Sequence, residues 1–243
     1  MKNLKTYNEL FESIVKELDY SFQDLKELPK LPDTLKILDC SNNQITELSK
    51  LPKSLIFLDC SKNQLKELPK LTDKLMYLNC YDNQIIEIKK LPISLNILYI
   101  TNNKLTELPK LPNTLKKLYC NNNKLKKISK LSNSLKELYC SNNQLKKIFK
   151  LPKTLKMLSC ENNQLKKLPE LPDILEYLNC ENNKLKKLPE LPETLKYLYC
   201  KNNELPYDDL DSYWKWFHEY YPIHYPERYR NYLKRQKIKK FNI

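Results

Sequence analysis

A strict repeat of 20 residues runs through most of the chain and restricts it to a narrow set of folds. Nine consecutive copies follow one another without an insertion or a deletion. A leucine marks the same position in each copy: Leu35, Leu55, Leu75, Leu95, Leu115, Leu135, Leu155, Leu175 and Leu195. A period of this length is typical of a solenoid in which each copy is one coil that contacts only its neighbours. A single coil cannot bury its own apolar side chains, so we expect the copies to share one continuous core.

The copy that starts at Leu55 shows what the first half of each repeat does. Leu55, Leu58 and Cys60 predict a short strand whose apolar side chains point into the coil. Asn63 follows at the turn, where its amide can bond backbone groups that no sheet partner reaches, within its own coil and to the next. The other copies hold the same residue at this position: Asn43, Asn83, Asn103, Asn123, Asn143, Asn163, Asn183 and Asn203.

The second half of each copy returns the chain to the next strand. In the same copy, Leu65, Leu68 and Leu71 are expected to fill the core from this return path. Most copies carry prolines there, among them Pro109, Pro112, Pro169, Pro172, Pro189 and Pro192. Proline fixes φ and lacks an N–H, so the path should be extended, close to polyproline II, and not helical. We therefore expect an α/β-class solenoid with a parallel β-sheet on the concave face and extended or polyproline II return segments on the convex face.

The two ends of a solenoid must be covered, and the sequence predicts helical caps at both. Thr6 and Glu9 form a capping-box pattern, which indicates a short helix that passes into an irregular first strand near Leu18. Aromatic residues at helical spacing predict a cap helix over 208–221, and 228–240 predicts a second one. The expected segments are 1–24, an N-terminal helical cap with a degenerate repeat; 25–205, the solenoid of nine repeats; and 206–243, a C-terminal helical cap and basic tail.

The tandem pattern Leu-Pro-x-Leu-Pro-x-x-Leu-x-x-Leu-x-Cys-x-x-Asn-x-Leu resembles the short, 20-residue class of leucine-rich repeats. That class is known from secreted bacterial effectors and from proteins of large amoebal DNA viruses, and copies rich in Asn and Lys with cysteine in the strand are more similar to the viral set. The resemblance covers roughly 25–205 and implies the fold, but little about function. Bacterial effectors of this class commonly add a ubiquitin-ligase domain with a catalytic cysteine. The 38 residues after Leu205 contain no cysteine, so we do not expect that activity here.

The eight cysteines all occupy one repeat position: Cys40, Cys60, Cys80, Cys120, Cys140, Cys160, Cys180 and Cys200. Ile100 fills this position in the remaining copy, which indicates that the position is simply apolar. Free cysteine behaves as a small buried hydrophobe. A zinc site would need CxxC-type spacing, and disulfides would need an oxidising compartment. Core filling is therefore the favoured interpretation.

Nothing in the sequence predicts catalysis. The chain has no glycine, which counts against phosphate-cradling loops. The two histidines, His218 and His224, lie in the expected C-terminal cap and have no positional relation to a nucleophile. We expect no catalytic residue, no cofactor, no metal and no enzyme activity.

Tyrosines stand at strand positions that alternate with the core leucines and so should face the concave surface. The predicted partner-binding residues are Tyr77, Tyr81, Tyr99, Tyr119, Tyr139, Tyr177, Tyr197 and Tyr199, with Asp39 and Asp59 at the N-terminal end of the surface. Tyrosine suits exposed strands and stacks on its neighbours, which is a purely structural explanation. It is also enriched at protein interfaces, which favours a binding face for a protein partner. Both interpretations remain open from sequence alone.

Lysine gives the chain a net charge of +14. From Leu111 to Glu170, 14 lysines stand against three glutamates, and a basic tail follows Pro226. A solvated rim is one explanation. The alternative is electrostatic binding of nucleic acid through the lysine-rich rim and the tail. We expect no small-molecule substrate and no membrane span, and the lack of a signal peptide pattern favours a cytoplasmic location, with host cytosol or nucleus as variants of it.

Overall fold

The computed structural model describes residues 15–128, 130–224, 227, 229–230 and 232–233. It contains ten three-residue strands: β1 Glu17–Asp19, β2 Ile37–Asp39, β3 Phe57–Asp59, β4 Tyr77–Asn79, β5 Ile97–Tyr99, β6 Lys117–Tyr119, β7 Glu137–Tyr139, β8 Met157–Ser159, β9 Tyr177–Asn179 and β10 Tyr197–Tyr199. They form one parallel sheet in sequence order. Each residue pairs with the one 20 positions along the chain, as Leu38 does with Leu58. The strand expected near Leu18 pairs in the same register, so it is more regular than the sequence indicated.

One core runs the length of the solenoid behind the sheet. The middle residue of a strand points into it, as do the cysteine after the strand and the leucine after the asparagine turn. In the coil that contains β3, for example, Leu58, Cys60 and Leu65 have no exposed surface. Burial of a leucine side chain contributes about 1.5–3 kcal/mol, and because each coil repeats the same positions, this stabilisation recurs at every interface between coils.

The return path contains no helix between β1 and β10 in the part of the chain that the structure describes. A turn opens each approach to a strand, as where the Leu55 N–H donates to the Pro52 carbonyl over 3.1 Å. Ile128 and Ile148 form an isolated parallel bridge on the return side. The predicted solenoid with a non-helical return is confirmed.

The asparagine at each turn bonds two adjacent coils together. The Asn123 side-chain amide donates to the Cys120 carbonyl of its own coil at 3.3 Å and to the Ile100 carbonyl of the preceding coil at 2.9 Å. Its Oδ1 accepts from the Leu105 N–H at 3.0 Å. The coupling predicted from sequence is therefore present, and the neighbour that the asparagine reaches is the preceding coil.

The residue before each of these asparagines has a left-handed backbone. Its φ lies between 51° and 56° at Asn42, Lys62, Asp82, Asn102, Asn122, Asn142, Asn162, Asn182 and Asn202. Asparagine and aspartate tolerate this region better than other residues with a Cβ. A chain without glycine can therefore repeat the same tight turn in every coil, a second role for asparagine that the sequence analysis did not identify.

Two helices follow the last coil, α1 Leu210–Glu219 and α2 Tyr221–His224, and α1 packs against β10. Asp209 is the N-cap of α1 and shares reciprocal hydrogen bonds with Ser212. Tyr213 and Phe217 on α1 are buried, which closes the last coil. The helix predicted to begin at Thr6 lies outside the described residues, as does most of the helix predicted over 228–240. No helix among the described residues is long and apolar enough to cross a membrane.

Candidate functional site

The first and third residues of each strand place their side chains on the outer surface of the sheet, which we call the sheet face. The middle residue points into the core, because side chains alternate along a strand. This alternation places Tyr99, Tyr119 and Tyr139 at the third position of three adjacent strands, directly opposite one another. The predicted register of these tyrosines is therefore present.

Five rings form a continuous series across β3 to β7, which we call the aromatic row: Phe57, Tyr77, Tyr99, Tyr119 and Tyr139. Phe57 and Tyr77 stack with ring centroids 4.2 Å apart. Tyr77, at the first strand position, meets Tyr99, at the third, with a separation of 5.8 Å. Tyr99 then stacks on Tyr119 at 4.3 Å, and Tyr119 on Tyr139 at 4.8 Å. The row is a rigid aromatic surface, because each ring is held by its neighbours and by the sheet beneath.

The remaining predicted tyrosines are not part of this row. Tyr177, Tyr197 and Tyr199 form a second group on β9 and β10, in which the Tyr177 ring centroid lies 6.3 Å from that of Tyr197 and 5.8 Å from that of Tyr199. Met157 on β8 lies between the two groups, and its sulfur atom is 3.6 Å from the Tyr139 hydroxyl oxygen. Tyr81 follows the strand residue Asn79 by two positions and lies beyond the end of β4. The predicted tyrosines therefore divide into two clusters and one separate residue.

A small polar network stands beside the centre of the row. The Tyr119 hydroxyl donates a hydrogen bond to one carboxylate oxygen of Glu137, and Lys117 pairs with the other oxygen at 2.9 Å. Burial, followed by the bond to Glu137, raises the pKa of Tyr119 well above its usual range. Burial and the nearby Asp59 raise the pKa of Tyr77 to about 12. The hydroxyls of Tyr77 and Tyr119 therefore stay protonated, and the Tyr119 hydroxyl donates its hydrogen bond to Glu137.

Asp39 and Asp59 lie at the third strand position of β2 and β3, directly opposite each other. Each accepts a hydrogen bond at 2.9 Å from the backbone N–H two residues further on, from Ser41 and Ser61 respectively. The second carboxylate oxygen of Asp59 also accepts from the Asn79 amide at 2.8 Å. These aspartates therefore have a structural task at the end of the strand, and they also place negative charge beside the aromatic row.

The charge of the sheet face is opposite to that of the whole chain. The first and third strand positions carry the carboxylates of Glu17, Asp19, Asp39, Asp59 and Glu137. The positions that directly follow the cysteines border this face and add Glu161 and Glu181. The same positions carry only Lys117 and Lys201 as cations. The lysines that make the chain basic therefore lie mainly elsewhere, at the positions before the strands and on the return path.

The cysteines form a buried column behind the sheet. All eight are free thiols inside the core. The Cys40 thiol lies 3.4 Å from the Asp59 carbonyl of the following coil, and Cys60 repeats this contact with Asn79. Burial raises the pKa of Cys120 to about 12. No group of three His, Cys, Asp or Glu side chains among the described residues is arranged to hold a metal ion.

Sequence reasoning missed two residues of this surface. Phe57 begins the aromatic row, and its place at the first strand position of β3 was a readable signal. Glu137 links Tyr119 to Lys117, but it was counted only as a charge. The sequence pattern correctly assigned side chains to a face of the sheet. It could not predict contacts between a first and a third strand position, because these depend on the direction in which each side chain extends.

Comparison with known proteins supports the same fold. The family model for two copies of leucine-rich repeats matches residues 133–173, and the single leucine-rich repeat model matches 34–55. Among solved structures, YopM of Yersinia pestis, described as a leucine-rich effector protein, is similar at 38% identity and a TM-score of 0.75, over 79% of this chain and 56% of that one. YopM of Yersinia enterocolitica is similar at 33% identity and a TM-score of 0.59, over 79% and 51%. A search of curated protein sequences gave no match.

A third solved structure has a related core. The functional domain of InlJ from Listeria monocytogenes, which includes a cysteine ladder, is similar at 29% identity and a TM-score of 0.67, over 83% of this chain and 47% of that one. The chain spans about half the length of these three solved chains. Together with the ten-stranded sheet and the 20-residue register, these matches show that the chain is a leucine-rich-repeat solenoid with repeats of the short, 20-residue class.

Proposed function

We propose that this protein is a non-enzymatic scaffold that binds a protein partner on its sheet face, and that the aromatic row is the centre of the interface. The observation that carries the proposal is the unbroken series of five rings in contact from Phe57 to Tyr139. Rings held in place by their neighbours lose little conformational freedom on binding, and tyrosine is prominent among interface hot spots.

The surroundings of the row favour a basic partner surface. Asp39 and Asp59 stand at one end, and Glu161 and Glu181 stand towards the other. A lysine or arginine side chain of the partner can meet the face of a tyrosine ring and a carboxylate at once. We therefore expect the contacting segment of the partner to combine apolar side chains with lysine or arginine, and the second tyrosine group on β9 and β10 to extend the interface.

The cellular setting that we propose is the cytoplasm. Eight free thiols persist in the core, and their repeated spacing is used for packing and not for disulfides. Proteins in reducing compartments keep their thiols in this state. Partner capture from cytosol is therefore the appropriate first assay.

The test compares the wild type with a triple variant in which Tyr99, Tyr119 and Tyr139 are serine. Each protein is used to capture partners from nuclease-treated cytosol at physiological salt, and the affinity for the recovered partner is then measured with purified components. Loss of central hot-spot tyrosines should weaken binding by about 100-fold or more. Circular dichroism confirms that the variant is folded.

A matched control removes exposed apolar side chains from the return path. Ile86 and Ile93 are 63% and 73% exposed, and their replacement by serine should leave partner affinity unchanged. If a folded triple tyrosine variant retains the partner with full affinity, the sheet face is not the binding site and the proposal is wrong.

A further inference from the structure

A groove with a volume of about 920 Å³ lies on the return side of the solenoid, away from the sheet face. Its walls include four lysines on two neighbouring coils and one phenylalanine: Lys127, Lys130, Lys150, Lys153 and Phe149. We call this the return-side groove. Its volume falls within the range of about 300–1,000 Å³ typical of ligand sites. Leu131 and Leu151 form part of its floor and are almost fully buried.

The groove has a strong positive charge. All four lysines are exposed, and none of them forms an ion pair with a carboxylate among the described residues. Between residues 108 and 160 the sequence has a single acidic residue, Glu137, which lies on the sheet face and pairs with Lys117. On the following coil Glu170 and Asp173 stand at the positions of Lys150 and Lys153, which lowers the positive charge there, while Lys167 keeps the position of Lys127. The positive charge is therefore concentrated on these two coils.

Phe149 gives the groove an aromatic element that the other coils lack at this position. Its side chain is 58% exposed, and the Lys147 ammonium group lies 4.1 Å from the centre of its ring. The equivalent residues of the other copies are proline, serine or lysine, for example Ser49 and Pro109. An exposed ring among lysines is the combination that single-stranded nucleic acid sites use, because the cations meet the phosphates and a base stacks on the ring.

We infer that the return-side groove binds single-stranded nucleic acid, with phosphates among Lys127, Lys130, Lys150 and Lys153 and a base stacked on Phe149. A recessed apolar floor suits a flexible strand, whose bases can enter the groove. A duplex has its bases already stacked and offers the lysines only its phosphates. An anionic membrane would need the apolar residues on a protruding ridge and not within a groove. This site is separate from the sheet face, so one protein has room for both ligands.

The chain provides a closely matched control. Lys50 and Lys53 occupy the same repeat positions as Lys150 and Lys153, five coils earlier, and Ser49 stands where Phe149 stands. The acidic residues Asp33 and Asp73 flank this earlier pair on the adjacent coils. The variants Lys50→Glu/Lys53→Glu and Lys150→Glu/Lys153→Glu therefore make the same change in charge at equivalent geometry, one outside the groove and one within it.

The experiment measures fluorescence anisotropy of a labelled oligo-dT of about 20 nucleotides, as sodium chloride rises from about 50 to 200 mM. Four phosphate contacts predict a slope of about −3 in a plot of log affinity against log salt. The variant Lys150→Glu/Lys153→Glu should lose at least tenfold in affinity, on the order of the effect of two phosphate contacts, and should flatten the slope. The variant Phe149→Ser should lose about fivefold or more with an unchanged slope, because stacking does not depend on salt. Lys150→Arg/Lys153→Arg keeps the charge and should bind normally.

Several outcomes would overturn the inference. Equal losses in the Lys50→Glu/Lys53→Glu control and the groove variant would show that only total charge matters. Full affinity in Phe149→Ser, or equal binding of a duplex of the same length, would show that no base stacks on Phe149. If phosphatidylserine vesicles bind and the oligonucleotide does not, the ligand is a membrane surface. All the substituted side chains are exposed, so thermal melting curves close to wild type are expected and show that each variant is folded.

Discussion

Replacement of Asn123 by alanine in the middle of the solenoid should destabilise the protein markedly. The side chain makes four hydrogen bonds to backbone groups. Its Oδ1 accepts from the buried Leu105 N–H, and its amide donates to the carbonyls of Ile100, Cys120 and Asn121. In the variant, the Leu105 N–H loses this partner inside the core, where water does not replace it.

The magnitude follows from what each group loses. An unsatisfied buried N–H costs about 1–3 kcal/mol. The three carbonyls lose less, because each keeps a second donor: Asn103 for Ile100, Asn143 for Cys120 and the Asn102 N–H for Asn121. A further loss of about 0.5 kcal/mol for each of these weakened sites gives a total of about 3 kcal/mol, within the range of buried polar deletions.

The assay is urea unfolding followed by far-ultraviolet circular dichroism, with tryptophan fluorescence from the C-terminal cap as a second probe of cooperativity. Asn203→Ala provides the control, because Asn203 makes the equivalent four bonds in the last coil but is partly exposed. Water can replace those bonds, so the expected loss is about 1 kcal/mol or less. Equal losses of stability in both variants would show that burial does not determine how much each turn asparagine contributes to the free energy of unfolding, and the reasoning would fail.

Three further predictions concern the left-handed turns, the carboxylate of Glu161 beside the sheet face and the buried cysteines. Lys62 has a φ of 51° at a position where most coils have asparagine, so Lys62→Asn should raise the free energy of unfolding by about 0.5–1 kcal/mol in urea titrations. Burial and the nearby Glu181 raise the pKa of Glu161 above 4.5, so folding disfavours its ionised form. Glu161→Gln should therefore raise the melting temperature at pH 7, and the gain should disappear as pH falls below 4.5. None of the eight buried thiols should react with Ellman's reagent in the native protein at about pH 8, and all eight should react after unfolding.

The local sequence pattern predicted most of the fold, because the contacts between coils of a solenoid recur at one constant offset along the chain. Once the 20-residue period is read, Leu38 must meet Leu58, and every later strand pair follows from the same offset. The cysteine position was read as apolar from one substitution, Ile100, and both residue types are fully buried there. The C-terminal cap was also predictable, since its aromatic residues recur at helical spacing and α1 buries Tyr213 and Phe217.

The candidate surfaces were less predictable, because they depend on how side chains extend between repeat positions. Sequence placed Tyr77 and Tyr99 on the same face, but their contact crosses from the first strand position to the third. The bond from Tyr119 to Glu137 also crosses between positions, and it explains why an acidic residue stands within the aromatic surface. Periodicity describes which face a residue takes and contains no information about such diagonal contacts.

The solenoid, its register, its core and the face on which the tyrosines stand all follow from the amino-acid pattern, because a constant offset leaves each coil only its neighbours to pack against. How the charged and aromatic groups combine follows from the three-dimensional fold. The fold separated an acidic, aromatic sheet face from the basic return side, and it brought Phe149 and Lys153 of one coil together with Lys127 and Lys130 of the preceding coil in one groove. That division arises from the closed path of each coil in space, which a linear count of lysines and tyrosines does not contain.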